Sequence, residues 1–116
     1  MVEAFRGITA ARATLAVYGD PSTFPVYARS ISTLADPANT VLKGVLPRDA
    51  VGHALAETDV LVVPSIWYEN SPLVIQEAFA AGVPVLASNI GALSEKVRPG
   101  VDGWLCPPGD VQAWHK

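Results

Sequence analysis

The chain has 116 residues, half of them hydrophobic, and a formal charge of −3 from eight Lys and Arg against eleven Asp and Glu. That length suits one domain with a real core, and the basic residues are scattered, with no stripe to neutralise a phosphate backbone, which excludes nucleic acid as a partner. The single cysteine, Cys106, excludes an internal disulfide and a cysteine zinc site and reads as a small buried hydrophobe. Apolar runs such as "VLVVP" fall far short of the ~20 residues of a membrane span. The opening stretch lacks the apolar block of a signal peptide, so a soluble, cytoplasmic chain is expected.

In chain order, Val2, Phe5 and Ile8 recur at helical spacing and predict a helix over residues 2–12, weakened by Gly7. "TLAVYG" (14–19) reads as the first strand, and residues 25–34 as a helix with Tyr27, Ile31 and Leu34 on one stripe. "TVLKGV" (40–45) is the next strand, followed by a helix over 48–57 that turns Val51, Ala54 and Leu55 inward. "DVLVVP" (59–64) is a strand whose continuous apolar character fits burial on both faces. The best-marked helix spans 72–81: Ser71 is a good N-cap, Pro72 suits the first helical position, Gly82 can close the helix, and Pro84 forbids continuation. "PVLAS" (84–88) and "GWLCP" (103–107) complete the strands.

Short buried strands alternating with helices of about ten residues predict an α/β fold, a doubly wound parallel sheet sandwiched by helices. In such sheets ligands bind beyond the carboxyl ends of the strands. The turns "GDPS" (19–22), "GVLP" (44–47), "PSIWYENS" (64–71) and "SNIGAL" (88–93) therefore carry the functional interest.

One of these turns opens the segment "PSIWYENSPLVIQEAFAAGVPV", which holds Glu69 and Glu77 with seven residues between them. Glu77 falls on an otherwise apolar helix, where a carboxylate must reach solvent or meet donors. Two carboxylate oxygens suit a vicinal diol, and the helix N-terminus between the two acids favours phosphate. Sugar plus phosphate is one reading. The other makes Glu69 a helix-dipole partner and Glu77 a solvent-facing residue. His53 and His115 read as ordinary helix or surface residues, no metal site is visible, and Trp67-Tyr68 either packs or lines a sugar pocket.

The whole pattern resembles the carboxyl-terminal nucleotide-sugar domain of the group 1 retaining glycosyltransferases, which have the two-domain GT-B architecture. The residues that carry the resemblance are Pro64-Ser65, Glu69, Glu77-Ala78, Ala81-Gly82-Val83-Pro84-Val85, Gly91 to Glu95, and Gly103 to Asp110, with "ATLAVYGD" and "VLKGVLPRDAVGHALAETD" similar to the family's earlier strands and turns. The resemblance covers essentially the whole chain. It implies a nucleotide diphosphate sugar as donor substrate, with no separate cofactor and no metal. Glu77 would bind the ribose hydroxyls, and Glu69 would contact the donor sugar near its anomeric centre in an electrostatic, orienting role. Ser71 and the N–H groups of Leu73 and Val74 would face the diphosphate, and Val45 and Leu46 would sit by the base. Two positions depart from the family: Ser71-Pro72-Leu73 replaces Phe-Gly-Leu, removing one N–H at Pro72, and Gly19-Asp20-Pro21 replaces Gly-x-Gly.

The resemblance also implies that a first strand, a pair of diphosphate-binding basic residues and an amino-terminal acceptor domain belong to the family but not to this stretch. The acceptor, a glycan, lipid or small molecule, would be chosen by that missing domain, with the whole enzyme cytoplasmic or peripheral to the membrane. The chain alone is then expected to be inactive. With a central first strand missing, "TLAVYG" and "DVLVVP" would carry exposed edges, which either close on each other or pair with a second copy as a homo-oligomer. The alternatives are a non-catalytic GT-B-like binding or scaffold module and a sugar-nucleotide epimerase.

Overall fold

The structure, a computed structural model, describes residues 1–6, 8–9, 11–66, 68 and 73–115. The chain divides into two compact units, residues 1–48 joined by His115, and residues 49–114.

The first unit holds α1 (Val2–Phe5), β1 (Leu15–Tyr18), α2 (Pro25–Leu34) and β2 (Thr40–Gly44). The first helix is a single turn rather than the expected run to residue 12, because Arg6 adopts extended backbone at ψ 138°. Arg12 and Ala13 instead donate back to the Thr9 carbonyl in a turn of their own. β1 and β2 pair in parallel, Leu15 with Thr40 through Val17 with Leu42, with an irregularity that brings Tyr18 opposite Gly44. Helix α2 begins at Pro25 and ends at Leu34, as expected, since proline is tolerated at a first helical position.

A buried asparagine organises this unit. Asn39 Nδ2 donates to the carbonyls of Phe5, at 3.5 Å, and of Ile8, while Asn39 Oδ1 accepts from Thr40 Oγ1 at 2.9 Å. Its own carbonyl receives the Leu15 N–H at 2.8 Å. One residue thus ties the segment after α1 to both strands, and its side chain meets the hydrogen-bonding demand that burial imposes on a polar group.

The second unit continues through α3 (Val51–Ala56), β3 (Leu61–Val63), α4 (Leu73–Ala80), β4 (Val85–Ser88), α5 (Gly91–Lys96), β5 (Gly103–Cys106) and α6 (Val111–His115). A 3₁₀ turn at Arg48–Ala50 takes the place of the first turn expected for α3. The three strands form a parallel sheet in the order β3-β4-β5, with Leu61, Val85 and Gly103 in line. One face packs the core, built from Leu55, Val63, Ile75, Ala78, Val83, Val85, Ala87, Leu93 and Val97. Strand alternation puts Val63, Val85 and Ala87 on that face, and α4 delivers Ile75 and Ala78 at three-residue spacing.

The end of α4 explains how β4 finds its place. Val83 donates to the Ala78 carbonyl at 2.8 Å and Gly82 to Phe79 at 3.1 Å, the double bond of a Schellman closure, with Gly82 at φ +75° where a side chain would be strained. Buried Val83 seals the turn, and the Pro84 carbonyl accepts the Leu61 N–H, so the helix end hands the chain directly into register beside β3.

The α/β class with parallel sheets is as the sequence predicts, but the strands form two sheets. Among the described residues β1 pairs with β2 in the first unit, and β3 with β4 in the second. Helices α5 and α6 add to the expected elements. The first occupies the turn "SNIGAL", and the second is capped by Asp110, whose carboxylate accepts the Ala113 N–H at 3.1 Å.

Candidate functional site

Because β3, β4 and β5 run in parallel, their carboxyl ends lie along one edge of the second unit's sheet, where α/β folds bind ligands. The chain leaves that edge at Pro64, Asn89 and Pro107. Ser65 is buried just beyond β3, while Ile66 and Tyr68 face solvent. Ser88 ends β4 fully buried, with no hydrogen-bond partner for its hydroxyl among the described residues, and Asn89 is exposed, its N–H taken by the Cys106 carbonyl at 2.7 Å.

Leu73, Val74 and Glu77 all fall on α4, the helix that comes after β3. Leu73 and Val74 open the described part of that helix, and first-turn N–H groups are the ones a helix can offer to an anion. Glu77 is half-buried one turn further on, next to fully buried Ala78 and two residues from fully buried Ile75. Glu69 and Ser71 lie outside the described residues. Val45 and Leu46 belong to the first unit, in the turn that leaves β2 at Gly44; Val45 is exposed and Leu46 half-buried.

The charges at this edge are few. Segments 64–72, 88–91 and 106–110 contain no Lys or Arg. Arg98 is committed elsewhere: its Nε donates to Asp102 at 2.6 Å and its backbone N–H to the same carboxylate at 2.7 Å, and the latter bond, before the guanidinium, holds the Asp102 carboxyl below its usual range. Cys106 is half-buried with Sγ 4.0 Å from the Ala113 carbonyl, and burial, then the Asp110 carboxylate, pushes its thiol up, away from the reactive thiolate. No three His, Cys, Asp or Glu side chains gather as metal ligands among the described residues. Nor is any described helix long and apolar enough to cross a membrane.

Sequence reasoning missed one contact at this edge. Gly91, which opens α5 at φ +53°, lies against Tyr68: a Cβ on Gly91 would stand 2.9 Å from Tyr68 Cδ1. The only signal was a glycine where a helix begins, and nothing in the spacing said which side chain it receives.

A three-stranded parallel sheet with helices between its strands defines a chain of the α/β class. The family model for "Glycosyl transferases group 1" matches residues 1–116, and the chain belongs to that family. It is 35% identical over 77 residues to the amylovoran biosynthesis glycosyltransferase AmsK of Erwinia amylovora, covering 62% of this chain and 19% of the relative. To the N-acetyl-alpha-D-glucosaminyl L-malate synthase of Bacillus anthracis it is 32% identical over 112 residues, 96% of this chain and 29% of the relative. Among solved structures, Anabaena HepE in complex with UDP and glucose superposes with a TM-score of 0.76 at 25% identity, over 90% of this chain and 29% of that one. The structural neighbours are GT-B glycosyltransferases. The chain spans less than a third of the length of each of these proteins.

Proposed function

We propose that the chain forms the donor-binding part of a retaining glycosyltransferase, which transfers a hexosyl group from a nucleotide diphosphate sugar to an acceptor hydroxyl. The observation that carries this reading is the family match over every residue, combined with a helix after β3 that carries Leu73, Val74 and Glu77. In this reading the Glu77 carboxylate accepts from the two ribose hydroxyls. The N–H groups of Leu73 and Val74, with Ser71, face the diphosphate, and Val45 and Leu46 border the base. Glu69 orients the donor sugar and stabilises positive charge developing at its anomeric carbon.

With no Lys or Arg in the three carboxyl-end turns, the diphosphate meets dipoles rather than cations. Charge-assisted bonds are about twice as strong as neutral ones, so the 116 residues by themselves bind donor weakly and do not transfer sugar. The acceptor is selected by a further domain, and the enzyme acts in the cytoplasm.

The test is a calorimetric screen of the full-length protein against UDP, GDP and ADP sugars, followed by Glu77→Gln. Losing a charged acceptor of two hydroxyls removes ~1.5–3 kcal/mol, so affinity for the preferred donor falls about tenfold or more. Unchanged affinity in Glu77→Gln would remove the ribose assignment, and no binding to any nucleotide sugar would remove the donor reading itself.

A further inference from the structure

We draw no further inference here: the strongest candidate, the apolar row that Val62, Leu86 and Trp104 form in register across β3, β4 and β5 on the sheet face opposite the core, with Trp104 exposed, carries nothing because nothing in the structure shows what covers that face.

Discussion

Replacing Gly103 by alanine adds a methyl group where the structure has no room for one. Gly103 is buried at the start of β5, in line with Val85 of β4. An added Cβ would run into the Val85 carbonyl oxygen and stand 2.9 Å from both the Val85 carbonyl carbon and Val97 Cγ1. Non-bonded heavy atoms rest at ~3.5–4.0 Å. The Val97 methyl could rotate away, but the carbonyl is main chain and Val85 is fully buried, so the strands themselves must part. Parting them strains the bond from the Val85 N–H to Asp102 at 3.0 Å and the one from the Gly100 N–H to the Gly103 carbonyl at 3.0 Å. Overpacking alone costs ~1–3 kcal/mol, and each weakened bond adds ~1 kcal/mol. A total of about 3–5 kcal/mol lowers the melting temperature by roughly 10 °C or more for a chain of this size. Thermal unfolding followed by circular dichroism reads this directly. A melting temperature within about 3 °C of the unmodified chain would show that β5 does not approach β4 as closely as the structure has it, and would refute the reasoning.

Asn39→Leu keeps the volume but strands two carbonyls and the Thr40 hydroxyl; a loss of ~2–3 kcal/mol is expected in urea unfolding, and a loss under ~0.5 kcal/mol would mean that those groups find other partners. Ser88→Ala removes a fully buried hydroxyl without a partner among the described residues, so it should leave stability unchanged or raise it by up to ~1 kcal/mol; a clear drop in melting temperature would indicate a trapped water on that oxygen. Asp102 has a folded-state pKa below its unfolded value, so its contribution is present above the unfolded pKa near ~3.9 and is lost as pH falls through the folded value. Asp102→Asn should therefore flatten the acid limb of the melting-temperature profile below pH ~4, and parallel profiles for the two proteins would count against the Arg98–Asp102 pairing.

Much of the scaffold is legible in the sequence because its punctuation is unambiguous. Pro25 opens α2, and Gly82-Val83-Pro84 can only close one element and begin another, so both boundaries fall where the residues say. Helix α1 is shorter than its apolar spacing predicts, since three apolar residues over two turns do not outweigh poor helix formers nearby. Helices α5 and α6 escape pattern reading for a simpler reason: six and five residues are too few to show a period. Asp110 before Val111 was the available signal for α6. The long-range facts were out of reach. Nothing in "DPANT" says that Asn39 will bond to carbonyls 34 and 31 residues earlier, and nothing in "SNIGAL" says that Gly91 receives Tyr68. On the candidate site, the placing of Leu73, Val74 and Glu77 on one helix after a strand was legible, while Glu69 and Ser71 lie outside the described residues.

The resemblance and the chemistry rest on different residues. In the closing segment from Gly103 to Asp110, several positions serve the scaffold. Gly103 lets β5 approach β4, the Pro107 carbonyl accepts Trp114 Nε1 at 3.0 Å, and Asp110 caps α6. Gly82 closes α4 in the same way. These residues make the family recognisable because backbone geometry demands them, whatever the active site does. Glu77 is different. It sits half-buried on the helix that follows β3, where the proposed reading gives its carboxylate to the ribose. A relative could therefore lose both acids and still match the family along its whole length, as a scaffold module would. The strength of the family match speaks for the fold, and only the behaviour of the carboxylates speaks for transfer. Substituting Glu77 is thus a sharper test of function than any closer likeness to a known glycosyltransferase.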